Sequence, residues 1–553
     1  MNCIRRQVHN PRMAAIALTM LALLFTFAGS SVPAQAQIPT PTLLYYFQGP
    51  PTDVCQALVD THLWGPLVQG RDGNLYGADD SCGTARNTGG VFKITPAGAE
   101  SVLVNFPANF NGCIGGLTLA SDGNFYGSCV SGNPATGLGS LYRVTPAGVF
   151  TDLYDFTGAN SDAAPYFAPI QATDGNLYGT TSGNGGAGNV YRLTLAGVYT
   201  NLHTFSGGDS LPFGTLVQAT DGNLYGTLQD CALTGNRGCA YKISTKGVYK
   251  EFYGFVDATG SSPYSGLIQG TNGKLYGSTD GGGTNNGGVI YSLTTAGKIT
   301  VLHNIDSATD GYQPSIIQAT DGNFYGGAWG GALGNQGGLY ELTSKNVFSA
   351  FLLSQSENQP VNPLIQHTNG LLYGTTSTSF GTGNDFGTVF SLDIGAKPFV
   401  NLASLSGKQG ATVAVFGQGF TSGSVVKFGG VPSEAVTLTG STYLTATVPA
   451  GALTGTVTVT EGSATLTSRQ TYKVLPTFLS FTPPSGPVGT SVTITGTGLT
   501  QATLVKFDGK SATFTVVSDT EITATVPATA LTGAISVTTK GGAGTSKTKF
   551  TVN

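Results

Sequence analysis

Short apolar runs alternate with turns rich in Gly, Asp and Asn along residues 42–393. Each period of about 50 residues contains four such runs, enriched in aromatic and β-branched residues. Runs of this composition between turn residues predict four antiparallel strands in each period. Neighbouring strand residues point to opposite faces, and pairs such as Leu75 and Tyr76 are both apolar. Each sheet is therefore predicted to be buried on both faces.

The most regular marker of the period is the phrase Asp-Gly-Asn-Leu-Tyr-Gly, predicted to join the first strand to the second. Successive copies are separated by 47 to 52 residues, counted between their first glycines. The seven copies, two of them degenerate, begin at Asp72, Asp122, Asp174, Asp221, Asn272, Asp321 and Asn369. Asp-Gly favours a hairpin turn because Gly adopts positive φ at little cost. One carboxylate per turn does not supply the several oxygens that calcium requires, so these residues are interpreted as turn formers.

The seven periods predict a kelch-like, seven-bladed β-propeller over residues 37–397. The last period stops after its third strand, Thr388–Leu392, whereas Thr42–Phe47 has the pattern of a missing fourth strand. We therefore expect the N-terminal strand to complete the last blade, which would leave no open sheet edge.

A different repeat occupies residues 398–475 and 476–553. Its two copies are offset by 79 residues between Lys427 and Lys506, and they contain strands such as Thr456–Thr460 that alternate Thr and Val. This period of two predicts two immunoglobulin-like β-sandwich domains, so the whole chain is predicted to be all-β.

The Asp-Gly-Asn-Leu-Tyr-Gly phrases resemble those of the bacterial GloVer (Gloeo/Verruco) repeat family over residues 42–393. The two C-terminal units resemble IPT/TIG domains. The first resemblance implies a repeat β-propeller and brings no assigned activity or catalytic motif. The second implies spacer or interaction modules of the kind found in bacterial surface proteins.

Residues 1–36 have the pattern of a secretory signal peptide. Arg5, Arg6 and Arg12 precede the apolar run Met13–Gly29, and Ala34–Ala36 forms a small-x-small cleavage site. We therefore expect a secreted or cell-surface protein without a membrane span in the mature chain. Removing three arginines changes the formal charge from −4 to −4 − 3 = −7. Such a chain is a poor candidate for binding nucleic acid.

Six cysteines remain after the signal peptide, and an even number in an exported chain predicts disulfides. Their places in the blade pattern predict the pairs Cys55–Cys82, Cys113–Cys129 and Cys231–Cys239, all on one face. A zinc site is the alternative, but no Cys-x-x-Cys pair or His cluster accompanies these residues. No metal and no cofactor are predicted.

One recurring position offers a candidate ligand-binding surface. Nine residues before the first turn Gly lie Trp64, Tyr166, Phe213 and Tyr264, and Trp329 lies in a loop predicted on the same face. Aromatic side chains at a channel mouth could stack on sugars or on a peptide. The alternative is packing between blades, since the same position elsewhere holds Ile and Val.

The sequence has no nucleophile elbow, phosphate-binding loop or His-Glu-x-x-His motif. We therefore expect a non-catalytic exported binding or adhesion protein, with a polysaccharide or a cell-surface protein as partner. A secreted carbohydrate-active hydrolase or lyase with a site at the propeller axis is the alternative. A matrix component without a specific ligand is a third hypothesis. The oligomeric state is not predicted.

Overall fold

The computed structural model describes residues 40–47, 63, 65–79, 89–107, 110, 112–131, 137–159, 162–183, 187–206, 208–330, 337–352, 360, 362–376 and 387–553. The predicted signal peptide, Trp64, Cys55 and Cys82 lie outside these residues. The described part is all-β, as predicted, with two short 3₁₀ turns at Ala232–Thr234 and Asp257–Thr259 and no α-helix.

Within the described residues, positions 41–392 form seven antiparallel sheets of four strands that resemble propeller blades. The first strands are Val68–Gln69, Thr118–Leu119, Ile170–Gln171, Val217–Gln218, Ile268–Gln269, Ile317–Gln318 and Ile365–Gln366. The second strands are Leu75–Asp79, Phe125–Cys129, Leu177–Thr181, Leu224–Leu228, Leu275–Ser278, Phe324–Ala328 and Leu372–Thr376. The third strands are Gly90–Ile94, Ser140–Val144, Asn189–Leu193, Cys239–Ile243, Val289–Leu293, Gly338–Leu342 and Thr388–Leu392. The fourth strands are Glu100–Asn105, Phe150–Asp155, Tyr199–Thr204, Tyr249–Gly254, Ile299–Asn304, Phe348–Leu352 and, for the seventh sheet, Pro41–Tyr46.

The Asp-Gly-Asn turns owe their regularity to one set of hydrogen bonds. In the first sheet, Asp72 Oδ1 accepts the Asn74 backbone N–H at 3.1 Å, and Oδ2 accepts the Tyr76 hydroxyl at 2.8 Å. The same two bonds recur at the other four Asp copies. The turn glycine between them has positive φ, 78° at Gly73. The carboxylate therefore fixes both the turn and the ring of the following strand, as the turn interpretation predicts.

Packing inside each sheet explains the glycine that follows the tyrosine in the repeat. The Tyr142 ring of the third strand lies directly over Gly127 of the second strand, where a Cβ atom would overlap it. The second strands are buried along their whole length. This agrees with a sheet covered on both faces.

A glutamine at the end of the first strand joins neighbouring sheets. Its Oε1 accepts a backbone N–H from the turn of the preceding sheet, and the donors of these bonds are Ser121, Thr173, Thr220, Thr271, Thr320 and Thr368. Leu119 replaces the glutamine in the second sheet. There, Arg71 of the first sheet instead donates to the Ser121 carbonyl at 2.6 Å.

The seventh and first sheets meet through the same kind of bond. Gln69 accepts the Thr368 N–H at 3.0 Å and donates to the Thr368 hydroxyl at 2.8 Å. The buried His367 ring contacts the Gly73 carbonyl at 2.9 Å, and Asn362 donates to the Leu63 carbonyl. Pro41–Tyr46 pairs with the third strand of the seventh sheet, so the N-terminal strand lies where the sequence predicts it.

Residues 398–475 form two four-stranded sheets and a parallel strand pair around one apolar core. Their strands are Asn401–Leu402, Thr412–Phe416, Tyr443–Thr447 and Val436–Gly440, then Val431–Pro432, Val425–Phe428, Val457–Glu461 and Ala464–Thr467, and the pair Ser406–Gly407 and Lys473–Val474.

Residues 476–553 form a four-stranded and a five-stranded sheet around a second core. Their strands are Thr477–Thr482, Ser491–Thr497, Glu521–Thr525 and Phe514–Ser518, then Ser485–Gly486, Ala543–Val552, Gly533–Thr539, Ala502–Phe507 and Lys510–Ala512.

Candidate functional site

Residues 398–475 contact the side of the sheets that carries the Asp-Gly-Asn turns, which we call the turn face. The Thr442 hydroxyl donates to the Arg71 carbonyl at 2.8 Å, and the Arg71 guanidinium carbon lies 4.7 Å from the centre of the Tyr443 ring. Gln418 donates to the Thr368 hydroxyl at 2.8 Å, and Lys473 to the Thr220 carbonyl at 3.2 Å. These contacts reach the first, seventh and fourth sheets, so part of the turn face is covered. Sequence patterns did not predict this contact.

The predicted aromatic position lies at the opposite end of the first strands, which we call the loop face. Tyr166, Phe213 and Tyr264 belong to three consecutive sheets, and the structure brings them together as an aromatic row. The Phe213 ring centroid lies 5.3 Å from that of Tyr166 and 5.3 Å from that of Tyr264. All three rings are half-buried. Trp64 lies outside the described residues, and Ile114 holds the equivalent position of the second sheet.

A recurring backbone feature holds the aromatic row in place. The residue two positions before each ring has positive φ, near 56° at Ala164 and Leu211 and 52° at Ser262. Its carbonyl accepts an N–H from the segment after the second strand, and the donors are Ser182, Gln229 and Asp280. A left-handed backbone conformation is uncommon at residues other than Gly, and here these tertiary hydrogen bonds stabilise it.

The stacking geometry limits what the aromatic row offers to a ligand. The Phe213 and Tyr264 planes are inclined by 16°, and those of Phe213 and Tyr166 by 32°. Phe213 thus has a neighbouring ring on each side, which is the packing role that the alternative interpretation describes. A ligand would therefore meet ring edges and the two phenol groups rather than the faces of Phe213.

A polar pair lies next to the Tyr264 end of the aromatic row. Gln313, at the equivalent position of the sixth sheet, donates to Asp280 Oδ2 at 3.3 Å. Burial raises the pKa of the Asp280 carboxyl, and the Gln313 hydrogen bond acts in the opposite direction. Burial, followed by the Asp280 charge, raises the pKa of the Tyr264 phenol. The Asp280–Gln313 pair thus places an acceptor and a donor beside an aromatic surface.

Trp329 forms a second aromatic contact, with Tyr312. Their ring centroids lie 5.8 Å apart with planes inclined by 27°, and their backbones form two hydrogen bonds of 2.7 and 2.9 Å. Tyr312 is 37% exposed, whereas Trp329 is half-buried. The exposed aromatic surface of this pair therefore lies in the sixth sheet, outside the three sheets that form the aromatic row.

The structure contains the disulfides Cys113–Cys129 and Cys231–Cys239, the same pairs that the sequence predicts. The predicted pair Cys55–Cys82 lies outside the described residues. In the described chain, one group of potential metal ligands has its atoms within 4.8 Å of one another, namely Cys231, Cys239 and Glu251. Burial, followed by Asp209, raises the pKa of Glu251.

Sequence reasoning found the aromatic row but missed Asp280, Gln313 and Tyr312. Gln313 was visible as the single amide side chain at the recurring position, whose other non-aromatic members are Ile114 and Val361. No sequence pattern pointed to Asp280, because the repeat does not show how the segment after a second strand lies against the next sheet.

Comparisons with known proteins agree with the repeat pattern. The model of the Gloeobacter/Verrucomicrobia repeat family matches residues 64–270 and 212–443, and that of the IPT/TIG domain matches residues 476–552. A comparison with the curated proteins gave no match. Within the described residues, no helix has the length and apolar character needed to cross a membrane.

Similar solved structures include a fungal alcohol oxidase of the AA5 family in complex with copper. It is 12% identical, with 93% of this chain and 100% of that one covered and a TM-score of 0.45. An oxidoreductase from Thermus thermophilus, described as a glucose dehydrogenase, is 14% identical over 50% of this chain and 95% of its own, with a TM-score of 0.35. A surface glycan-binding protein from Prevotella bryantii is 19% identical over 28% of this chain and 41% of its own, with a TM-score of 0.22. Scores this low transfer no activity, substrate or partner to this chain.

Proposed function

The chain belongs to the Gloeobacter/Verrucomicrobia repeat family, and we propose that it is an exported, non-catalytic binding or adhesion protein. In this proposal residues 1–36 direct export, and residues 37–397 form a seven-bladed propeller. Residues 398–475 and 476–553 are two immunoglobulin-like sandwiches of the IPT/TIG type. The glutamine bonds between sheets support the closed ring. The bond between Gln69 and Thr368 joins the seventh sheet to the first, and it has the same donor and acceptor groups as the bonds between the other sheets.

The observation that carries the binding proposal is the opposition of the two faces. Residues 398–475 cover part of the turn face through Arg71, Thr368 and Thr220. The aromatic row and the Asp280–Gln313 pair lie on the loop face, which carries the longer connections. Binding groups tend to lie on loops that a rigid scaffold holds. The loop face is therefore the proposed ligand surface.

The chemistry of this surface fits an uncharged polysaccharide better than a charged ligand. The ring edges of Tyr166, Phe213 and Tyr264 provide apolar contact, while the Asp280–Gln313 pair can accept and donate hydrogen bonds. Sugars present apolar faces and vicinal hydroxyl groups that match both features. A cell-surface protein is the second partner class in this proposal.

The two sandwiches have different roles in this proposal. Residues 398–475 are fixed to the propeller by the contacts described above and act as a rigid support. Residues 476–553 continue from them, with Gln501 accepting the Thr454 N–H at 2.8 Å and Gln409 donating to Asp519 at 2.8 Å. The second sandwich is the proposed spacer or additional contact module.

A secreted carbohydrate-active hydrolase or lyase remains the second candidate, because burial raises the pKa of Asp280 as a general acid requires. A glycosidase needs a second carboxylate about 5–10 Å away. Asp280 Oδ2 instead accepts a hydrogen bond from the Gln313 amide, and this pair can accept and donate hydrogen bonds to a ligand without any reaction. The binding proposal is therefore preferred.

The test is a glycan and peptide array probed with the mature protein and assayed for both binding and product formation. Asp280→Asn is expected to lower affinity for a bound glycan by about tenfold, the effect of one hydrogen bond to a charged group. Ile114→Ala, at the recurring position of the second sheet, is the matched control and should bind like the wild type.

The aromatic residues require a separate comparison. Trp329→Ala and Trp64→Ala are expected to weaken binding while leaving the thermal midpoint nearly unchanged. If both lower stability by the ~3–5 kcal/mol typical of core aromatic truncation, these residues are structural and do not belong to the site. Product release from any array glycan would replace the binding proposal with the enzymatic one.

A further inference from the structure

The corner between the third and fourth sheets holds two sulfurs and two carboxylates. Cys239 opens the third strand of the fourth sheet, and Cys231 precedes the 3₁₀ turn of the loop before it. Glu251 lies on the adjacent fourth strand, opposite Tyr241. Both cysteines are fully buried, so the strands and the short loop hold their sulfurs against the Glu251 carboxylate.

We propose that reduction of the Cys231–Cys239 disulfide converts this corner into a binding site for a thiolate-binding divalent cation such as Zn²⁺, with Cys231, Cys239 and Glu251 as ligands. The three ligand atoms already lie within 4.8 Å of one another. Thiolates favour such ions, and two sulfurs with one carboxylate form an acceptable tetrahedral set with a fourth ligand.

The distances agree with a tetrahedral centre. Zn–S and Zn–O bonds of ~2.3 and ~2.1 Å place a sulfur and an oxygen about 3.6 Å apart on one zinc ion. Cys231 Sγ lies 3.8 Å from Glu251 Oε2. On reduction the two sulfurs must move apart to about 3.8 Å for the same geometry. Ala232 and Leu233, which follow Cys231 in the loop, are exposed, so a shift of this loop would displace solvent rather than buried side chains.

A second layer of hydrogen bonds already orients the carboxylate. The Tyr249 hydroxyl donates to Glu251 Oε1 at 3.3 Å, so Oε2 faces Cys231. Asp209 Oδ1 accepts the Ala232 N–H at 3.1 Å and so holds the loop next to Cys231. Groups that fix a ligand in this way raise metal affinity. A water molecule would supply the fourth ligand.

The chemistry balances with a dithiol as reductant. The dithiol transfers two electrons and two protons to the Cys231–Cys239 bond, which yields two protein thiols and one oxidised dithiol. Binding of one Zn²⁺ then releases the two thiol protons and leaves two metal-bound thiolates. In the reverse reaction the two thiolates transfer two electrons to the oxidised dithiol, which takes up two protons, while the disulfide forms again and the ion leaves. The site and the disulfide therefore exclude each other.

The experiment titrates Co²⁺, as a coloured substitute for Zn²⁺, into the anaerobically reduced mature protein. We expect one Co²⁺ per chain with a sulfur-to-cobalt charge-transfer band, which one equivalent of Zn²⁺ abolishes. The oxidised protein should give no band. Near-ultraviolet circular dichroism checks that the reduced protein keeps its fold.

Three variants locate the site. Glu251→Gln keeps an oxygen that can accept the Tyr249 hydrogen bond but removes the charged metal ligand. It should lower the Co²⁺ affinity by at least tenfold. The double variant Cys113→Ser with Cys129→Ser removes the other described disulfide and should leave the band unchanged. The double variant Cys231→Ser with Cys239→Ser should give no band. An unchanged affinity in Glu251→Gln, loss of the band in the Cys113 and Cys129 variant, or unfolding on reduction would each overturn the proposal.

Discussion

The bond between the seventh and first sheets can be tested by Gln69→Ala. The change removes the acceptor of the N–H of the buried Thr368, at 3.0 Å, and the donor to its hydroxyl, at 2.8 Å. A buried donor left without a partner costs about 1–3 kcal/mol, so we expect the local opening free energy to fall by about 2 kcal/mol. Gln218→Ala is the comparison at a joint inside the repeat array, where Gln218 accepts the N–H of the exposed Thr173 at 2.8 Å. Because water can replace the lost acceptor there, its effect should be the smaller of the two.

The assay is amide hydrogen exchange measured at Thr368 and Thr173 in both variants. A loss of about 2 kcal/mol corresponds to exchange roughly 30-fold faster at the affected amide, provided that exchange follows local opening. Each variant should accelerate its own amide and leave the other unchanged. If Gln69→Ala leaves amide exchange at Thr368 unchanged while Gln218→Ala accelerates exchange at Thr173, the bond between the seventh and first sheets is not formed as described. The proposal of a closed ring would then be wrong.

Three further outcomes follow from individual side chains. Burial lowers the pKa of His367, so the contribution of its neutral ring to folding stability is complete above about pH 6.5 and is lost as the pH falls. His367→Ala introduces the residue that several other sheets have at this position. In this variant the urea midpoint should therefore fall less between neutral and mildly acidic pH than it does in the wild type. Burial, followed by Asp155, raises the pKa of Asp152 to about 6, so the folded protein loses stability as the pH rises through that value. Asp152→Asn should stabilise the protein above pH 6 by about 1 kcal/mol after allowance for solvent exposure, and no gain should remain at pH 4; an equal gain at both values would contradict this. Arg71→Ala removes the contact with the Tyr443 ring, worth ~0.5–2 kcal/mol, and should accelerate amide exchange in residues 440–443 but not in residues 520–525.

The strand pattern and the turns were predictable because each repeat encodes them locally. Asp72, its glycine and Tyr76 form a self-contained unit, so seven copies of the phrase locate seven turns and the strands beside them. The glutamine bonds were not predictable, although Gln218 and its equivalents recur at the same position of the repeat. Their acceptor atoms reach backbone N–H groups of another repeat, and a side-chain type does not reveal which backbone it will meet.

The candidate site divides in the same way. The aromatic row was predictable because equivalent positions of successive repeats lie side by side in neighbouring sheets. The Asp280–Gln313 pair joins residues 33 positions apart in two sheets, and its formation depends on how those sheets are set against each other. The contact between residues 398–475 and the turn face is of the same kind, since neither surface carries a local sequence pattern.

The glutamine joints also bear on how such a protein can grow or shrink during evolution. Each glutamine recognises a backbone N–H, so the joint tolerates Ser or Thr at the donor and can form wherever the following repeat carries the glutamine, as every repeat but the second does. Duplication or loss of an internal repeat would therefore recreate a working joint at the new boundary. The last joint differs, because His367 and Asn362 add bonds to Gly73 and Leu63 that depend on particular side chains. The interior of the array is thus interchangeable, while the two terminal repeats are matched to each other.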